Sequence, residues 1–140
     1  MTAGINEDLS TAPEIFVPDV DTAVEFFTAK LGFAAGRVAH DGPGGTTDFA
    51  VVAFERSVLL VAMDAYYLNM GAKELEPRGR AIDTRIVVRD VDAVYERAKA
   101  NGVRIVHDIA DRPYGLRDFV LQDPWGFRWR FATPIAAGHG

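Results

Sequence analysis

A short strand-to-helix junction occurs twice in the sequence, as VPDVD at residues 17–21 and as VRDVD at residues 88–92. An apolar stretch precedes each copy, and a pattern typical of a helix follows it. The two copies are 71 positions apart, and the Val and Asp positions within them repeat at that spacing. This repeat constrains the fold more than any other feature, because it predicts one supersecondary unit built twice from a single chain.

Each junction carries the start and stop signals of a helix. Asp19 and Asp90 stand where an N-cap side chain accepts hydrogen bonds from exposed N–H groups, and Gly32 and Gly102 stand where a left-handed C-cap is needed. The apolar stripes between these signals are Val24, Phe27 and Leu31 in the first copy and Val91, Val94 and Ala98 in the second. The spacing predicts two amphipathic helices.

Segments typical of strands surround both helices. They are EIFVP, GRVAH, TDFAVVAF and SVLLVAM in the first copy, and DTRIVV, VRIVHDI, LRDFVLQ and FRWRFA in the second. The order predicts an α+β fold, since a strand, a helix and three strands follow one another twice. We expect a single domain over residues 1–140, with βαβββ modules at 12–64 and 82–133 joined by a loop at 65–81.

The composition excludes several classes of function. The 140 residues contain no cysteine, which excludes disulfides, thiolate nucleophiles and Cys-based metal sites. A net charge of −5 argues against binding to nucleic acid, and the longest apolar run, at 58–63, is too short to cross a bilayer. The sequence contains no GxGxxG, Walker, nucleophile-elbow or HExxH motif. We expect a soluble cytoplasmic protein that has neither nucleic acid nor a membrane as its partner.

Three segments resemble the vicinal oxygen chelate superfamily, which includes glyoxalase I, extradiol dioxygenases and bleomycin-resistance proteins. They are PxxxVxDVDxAVEFFxxxLGF at 13–33, RIVVRDVDAVYERAKANGV at 85–103 and RPYGLRDFVLQDPWGFRWRF at 112–131. Within the superfamily, AVEFF before LGF and YGLRDF before DPWG are most similar to the bleomycin-resistance branch. The resemblance implies two βαβββ modules whose mixed sheets curl around a cleft, and a second subunit that often completes it. We therefore expect a homodimer.

The resemblance also implies where a metal ion would bind. Metal enzymes of the superfamily place His or Glu on the first and last strands of each module, and these positions map to Ala12, Leu60 or Val61, Asp83 and Arg130. Such residues do not provide the His and carboxylate ligands that a divalent metal requires, and all three histidines lie elsewhere. We expect no metal and no cofactor, and an ion pair from Arg130 to Asp83 or Glu14 in the place of the metal.

Strand alternation predicts which side chains line the cleft. Glu14 and Phe16 face away from the helix in the first strand, and Asp83 and Arg85 do so in the fifth. For the hairpin around DPWG, alternation predicts that Arg117, Phe119, Leu121, Arg128 and Arg130 share this face, opposite Val120, Phe127, Trp129 and Phe131. Trp125 lies on the hairpin turn, and Tyr66, Tyr67 and Met70 lie in the joining loop. The predicted ligand-binding set consists of Glu14, Phe16, Tyr66, Tyr67, Met70, Asp83, Arg85, Arg117, Phe119, Trp125, Arg128 and Arg130.

Each of these residues also has a purely structural interpretation. Glu14 and Asp83 could be an acid–base pair, yet a carboxylate beside an arginine more often stays ionised and holds structure. We therefore predict no catalytic residue. The arginines suit an anionic or carbonyl-bearing ligand but also occur as solvated strand residues. The tyrosines suit a flat ligand, and Trp125 could stack on a ligand or a partner or be an ordinary exposed aromatic residue.

The favoured function is metal-independent binding of an antibiotic-like or metabolite ligand, sequestered in a dimeric cleft without chemical change. One alternative is a metal-dependent glyoxalase-like lyase, isomerase or dioxygenase. Another is a metal-free enzyme that uses Glu14. A third is a structural dimer module that binds no ligand.

Overall fold

The computed structural model describes residues 11–136. One compact unit ends at Glu76 and a second begins at Pro77. Each unit contains a four-stranded mixed sheet and a principal helix, so the predicted α+β fold is confirmed. Within residues 11–136, no helix is long and apolar enough to span a membrane.

The first unit follows the predicted order of elements. Its elements are β1 (Glu14–Val17), α1 (Val20–Glu25) with a π-helical turn (Phe26–Lys30), β2 (Ala34–Ala39), a 3₁₀ turn (Pro43–Gly45), β3 (Phe49–Phe54), β4 (Ser57–Met63) and α2 (Asp64–Asn69). The sheet has the order β1-β4-β3-β2, and β1 runs parallel to β4 while the other pairs are antiparallel. Helix α2 occupies part of the segment that was predicted as a joining loop.

The second unit repeats this topology. Its elements are β5 (Asp83–Val87), α3 (Val91–Ala100), β6 (Arg104–Asp111), β7 (Leu116–Gln122) and β8 (Arg128–Pro134). The sheet has the order β5-β8-β7-β6, with β5 parallel to β8. The last strand of each unit therefore lies between its first and third strands, so side chains on the last strand contact two neighbouring strands.

The predicted helix signals are confirmed at both junctions. The Asp19 carboxylate accepts from the Thr22 N–H at 3.1 Å, and the Asp90 carboxylate accepts from the Ala93 N–H at 3.2 Å. After the helices, Gly32 adopts a φ of +90° and Gly102 a φ of +72°, the left-handed region that favours glycine. The repeated sequence thus produces a repeated local structure.

The first helix differs from the prediction in its last turn. Residues Phe26–Lys30 form a π-helical turn, which shifts the buried stripe by about one residue. Phe26 and Phe27 are consequently both buried, at 7% and 0% exposure. Before the turn it is Ala23 that is buried, whereas Val24, which was predicted for the stripe, is only half-buried.

Aromatic rings hold each helix to its own sheet. In the first unit the Phe27 and Phe33 ring centroids are 5.3 Å apart, and those of Phe33 and Phe54 are 5.4 Å apart. In the second unit Tyr95 of α3 contacts Phe119 at 5.1 Å, and Phe119 stacks on Phe131 at 5.7 Å. These contacts identify the sheet faces that the helices cover.

The predicted alternation is confirmed in β1 and β5. Ile15 and Val17 are buried while Glu14 is exposed and Phe16 half-buried. In the second unit Ile86 and Val88 are buried, whereas Asp83, Arg85 and Val87 are exposed. The side chains that point away from the buried face are therefore those that the sequence pattern indicated.

The predicted faces of the β7–β8 hairpin are wrong for Arg117, Phe119 and Leu121. Phe119 pairs with Phe131 and Leu121 with Trp129, and residues directly opposite each other share a sheet face. All four therefore lie on the side that α3 covers. Arg117 lies on the same side, where its Nη2 is 2.9 Å from Oδ1 of Asp92 in the first turn of α3.

The reason for this error is the length of the hairpin loop. The Asp123 N–H donates to the Phe127 carbonyl at 2.9 Å, so the loop contains only residues 124–126. Gly126 is the last of these three residues and adopts a φ of +109°. Three-residue hairpin loops commonly end in a residue with a positive φ. A shift of one residue in register moves every side chain of a strand to the other face. The prediction that Val120 shares the face of Trp129 is therefore also wrong, since Val120 pairs with Arg130 on the opposite face.

Replacing Phe119 by Ala tests its corrected position. We expect Phe119→Ala to lower the free energy of unfolding by about 3–5 kcal/mol, because the ring is fully buried and its loss leaves a cavity. Val38→Ala, at a side chain of β2 that is 37% exposed, is the control and should cost less than about 1 kcal/mol. Urea unfolding measures both. Equal, small losses would place Phe119 outside the core.

Candidate functional site

The face of the second sheet opposite α3 carries most of the charged side chains of that sheet, and we call it the arginine face. The strand register assigns to it Asp83, Arg85, Asp118, Val120, Gln122, Arg128 and Arg130. The sequence folds this way because the residues between them, such as Ile86, Trp129 and Phe131, are buried on the α3 side.

Arg130 joins two carboxylates on this face. Its Nη2 is 3.0 Å from Oδ2 of Asp83, and its Nε donates to the same oxygen at 3.3 Å. Its Nη1 is 3.4 Å from Oδ2 of Asp118. The predicted ion pair from Arg130 to Asp83 is confirmed, and Asp118 is a second partner that sequence analysis did not identify. The central strand β8 is thereby linked to β5 and β7 through one guanidinium group.

Asp118 is the buried centre of the network. Its side chain has 0% exposure, and it accepts from Arg112 Nε at 2.8 Å and from the Tyr114 hydroxyl at 2.6 Å. Burial raises the pKa of Asp118, but the hydrogen bonds from Tyr114 and Arg112 and the charges of Arg112 and Arg130 outweigh it. The pKa therefore lies below its ordinary value of 3.8, and Asp118 is ionised at neutral pH.

The network extends to Arg85 through the Tyr114 ring. The Arg85 guanidinium carbon lies 5.8 Å from the centre of that ring, within the range of a cation–π contact. Burial and the hydrogen bond to Asp118 raise the pKa of Tyr114, so its hydroxyl stays protonated and continues to donate. The tyrosine thus holds one carboxylate through its hydroxyl and one arginine through its ring.

The turn at residues 123–126 forms one end of the arginine face. Asp123 Oδ1 accepts from the N–H groups of Trp125, Gly126 and Phe127 at 3.0, 3.0 and 2.9 Å, and Oδ2 accepts from Trp129 Nε1 at 2.9 Å. Burial raises the pKa of Asp123 to about 6, although these hydrogen bonds act in the opposite direction. One carboxylate therefore holds the turn in place.

The first unit presents mainly aromatic groups on the corresponding face, together with the single carboxylate of Glu14. Phe16 of β1 contacts Tyr67 of α2 with ring centroids 4.8 Å apart, and Met70 is 69% exposed just after that helix. The Tyr66 hydroxyl donates to Oδ2 of the buried Asp48, and this bond lowers the pKa of Asp48. Tyr66 therefore anchors α2, whereas Tyr67 and Met70 leave apolar surface open to a ligand.

Of the positions that the resemblance assigns to metal ligands, only Asp83 carries a group that could bind a metal ion. The register pairs Glu14 with Leu60, so Leu60 rather than Val61 shares the face of Glu14. Arg130 stands at the matching place beside Arg85. Within residues 11–136, no group of three or more His, Asp or Glu side chains could hold a metal ion. A leucine and a guanidinium offer no lone pair to a divalent cation.

The predicted binding residues belong to both units. Those on the arginine face of the second unit are Asp83, Arg85, Arg128 and Arg130, and those on the first unit are Glu14, Phe16, Tyr66, Tyr67 and Met70. Trp125 is half-buried on the turn, and Arg117 and Phe119 lie on the α3 side. Ligand binding by these residues stays a prediction.

Sequence analysis missed three residues of the network, namely Arg112, Tyr114 and Asp118. All three lie in the segment RPYGLRD, of which the alternation pattern assigned only Arg117 to the cleft face. The signal that could have found Asp118 is the glycine that ends the PWG loop, since a three-residue hairpin loop commonly has a left-handed residue at its end. With that loop, alternation places Asp118 and Arg130 on one face.

The buried carboxylate of Asp118 predicts a strong and pH-dependent effect on stability. We expect Asp118→Asn to lower the free energy of unfolding by about 3 kcal/mol at neutral pH, because two arginines lose their buried partner. A lowered pKa means that the stabilisation is present above the unfolded pKa and is lost as the pH falls through the folded pKa. The difference from wild type should therefore shrink below about pH 3.8, as measured by urea unfolding.

Asp111→Asn is the matched control for this experiment. Asp111 also pairs with an arginine, Arg117, at 3.2 Å, but its side chain is 47% exposed. Exposed pairs contribute less than about 1 kcal/mol, so this variant should resemble wild type at every pH. Equal effects of the two substitutions would contradict the special role of Asp118.

Comparisons with known proteins agree with this architecture. The model of the Glyoxalase/Bleomycin resistance protein/Dioxygenase superfamily matches residues 10–131. An uncharacterized protein of Mycobacterium tuberculosis is 28% identical over 138 residues, which are 96% of this chain and 79% of the relative. A protein of Mycobacterium bovis is 27% identical over 135 residues, 94% of this chain and 87% of the relative.

Solved structures show the same fold. TioX from Micromonospora sp. ML1 superposes with a TM-score of 0.66 at 24% identity, covering 89% of this chain and 97% of TioX. A glyoxalase/bleomycin resistance protein/dioxygenase from Nocardioides superposes with a TM-score of 0.69 at 23% identity, covering 96% and 89% of the two chains. At these identities the similarity shows the fold and not the ligand.

Proposed function

Since the chain belongs to the Glyoxalase/Bleomycin resistance protein/Dioxygenase superfamily, we propose that it binds a small organic molecule and needs no metal ion to do so. The ligand is of an antibiotic-like or metabolite kind, and the protein sequesters it without chemical change. This fold hosts both enzymes and binding proteins, so the side chains of the site decide between the two.

The observation that carries the proposal is the position of Arg130. In relatives that bind a metal, this strand position supplies a ligand to it, whereas here it places a positive charge between Asp83 and Asp118. A second cation at the same place would have to displace the guanidinium and separate both ion pairs. Separating a pair that contains a buried carboxylate costs several kcal/mol, which supports a site without a metal.

The same network supports binding rather than catalysis. Asp83 and Asp118 each accept hydrogen bonds from arginine, and the pKa of Asp118 is lowered. A general base at neutral pH works best with a pKa near 7, and the lowered pKa of Asp118 is far from that value. The groups that face outward are suited to contacts: guanidinium groups for oxygen atoms, and the rings of Phe16 and Tyr67 for a flat apolar group.

The proposal predicts the metal content and the ligand response of the pure protein. Protein purified without chelator should contain divalent metal well below one ion per chain, as measured by inductively coupled plasma mass spectrometry. A panel of antibiotics and metabolites should contain compounds that raise the melting temperature of the metal-free protein. A ligand at 100 times its Kd adds about 2.7 kcal/mol to the stability of the folded state.

Two variants of α2 serve as a test and a control for that response. Tyr67→Ala should lower the stabilisation of the folded state by an aromatic ligand by about 1 kcal/mol, since ring contacts are worth about that much. The melting temperature should rise correspondingly less than in wild type. Leu68→Ala removes a neighbouring side chain of similar exposure, 43% against 42%, and should leave the ligand-induced rise in melting temperature unchanged. One divalent ion per chain, with activity lost on chelation, would instead favour a metal-dependent lyase, isomerase or dioxygenase.

We also propose that the protein forms a homodimer. In the described part of the chain, β1 and β5 are edge strands of their sheets, and edge strands present unpaired N–H and C=O groups. Val87, at 50% exposure, adds exposed apolar surface on β5. An interface between two copies would cover both features.

Sedimentation velocity tests the dimer directly. At micromolar concentration we expect the mass of two chains, and a melting temperature that rises with protein concentration because association stabilises the folded state. A monomer at all concentrations would contradict the dimer and leave the ligand proposal standing.

A further inference from the structure

A cavity of about 480 Å³ lies within the second unit, between the segment 77–83 and the start of β8. This segment passes the hairpin turn with its backbone in direct contact, because a Cβ added to Gly79 would lie 2.6 Å from the Gly126 carbonyl oxygen. Gly79 also adopts a φ of +70°, which disfavours any other residue. One wall of the cavity is thus held against a turn that Asp123 already fixes.

The charged groups that line the cavity are mainly cationic. Arg78, Arg80 and Arg128 contribute guanidinium groups, and Asp83 contributes one carboxylate. That carboxylate is already bonded to Arg130. Arg80 and Arg128 are exposed, and within residues 11–136 neither forms an ion pair with Asp or Glu. The chain as a whole has a net charge of −5, so this cluster is a local region of positive charge on a negatively charged protein.

Two further features of the lining favour a ligand over bulk water. Ile82 is 67% exposed, which gives the rim of the cavity an apolar contact. Ala81 adopts a φ of +59°, and a left-handed conformation costs a residue with a Cβ roughly 1 kcal/mol or more. Such local strain concentrates at sites that bind ligands, where the surrounding structure maintains it.

We propose that this cavity binds a small organic anion, with a carboxylate or phosphate group held by Arg80 and Arg128 and an apolar part against Ile82. A planar guanidinium group donates two parallel N–H bonds to either kind of oxyanion. The volume falls within the range of roughly 300–1,000 Å³ that ligand pockets have. The inference rests on the proposed function, because it names the class of small molecule that the protein binds.

The experiment compares three related probes by NMR. Benzoate, phenyl phosphate and the neutral benzamide are titrated into the ¹⁵N-labelled full chain. We expect the two anions to shift the amide signals of residues 77–83, 122, 126 and 128, and benzamide to shift none of them. The tighter of the two anions identifies carboxylate or phosphate as the natural group. Binding should weaken as salt is added, because ions screen exposed charges.

Charge variants then test the two arginines. Arg128→Ala should raise the Kd about 10-fold and Arg80→Ala/Arg128→Ala about 100-fold, since each lost charge-assisted contact is worth roughly one decade. Arg56→Ala is the matched control: Arg56 is an exposed arginine in the β3–β4 turn of the first unit and should leave the Kd unchanged. All these side chains are exposed, so the amide spectra should show that each variant is folded.

Three outcomes would overturn the inference. They are binding of benzamide as tight as that of benzoate, an unchanged Kd in the double variant, and no binding of either anion by wild type. In each case the proposed function would survive if neutral or cationic compounds of the wider panel still raised the melting temperature. If no compound of any charge did so, the proposed function itself would fail.

Discussion

The ion pairs of Arg130 are the interaction on which the second sheet depends. Asp118 is fully buried, and a buried carboxylate is tolerated only where hydrogen bonds and positive charges replace its lost hydration. Arg112, Tyr114 and Arg130 provide those hydrogen bonds and charges. Arg130, on β8, also pairs with Asp83 of the neighbouring strand β5. Three neighbouring strands are therefore joined by side chains as well as by backbone hydrogen bonds. The same contacts put a guanidinium group at the β8 position that the family resemblance assigns to a metal ligand.

The two units show how one topology acquires two surfaces. Glu14 pairs with Leu60 in the first sheet as Arg85 pairs with Arg130 in the second, so the backbone register is the same while the chemistry differs. Leucine and the Phe16–Tyr67 rings give the first unit apolar contacts, and arginines give the second unit contacts for oxygen atoms.

Much of the fold was predictable because its signals are local. An aspartate at a helix start, a glycine at its end and alternation within one strand depend on residues a few positions apart, and these predictions are confirmed in both units. The errors arose where a shift of one residue, in a helix or in a strand register, changes the face on which the side chains lie. The π-helical turn exchanged Val24 for Ala23 in the buried stripe, and the three-residue loop before Phe127 moved Arg117 and Phe119 to the α3 side.

The amino-acid sequence by itself determined the duplicated order of elements, their caps and the outward position of Asp83 and Arg85, since these follow from local hydrogen bonding and from the period of a strand. The tertiary structure decided which charges meet. Asp118 became the buried partner of Arg112 and Arg130 only because the β7–β8 register puts it on their side of the sheet. The cavity beside Arg128 likewise exists only because the segment around Gly79 packs against the turn at Gly126. Contacts between residues far apart in the chain depend on register and packing, and local patterns do not encode either one directly.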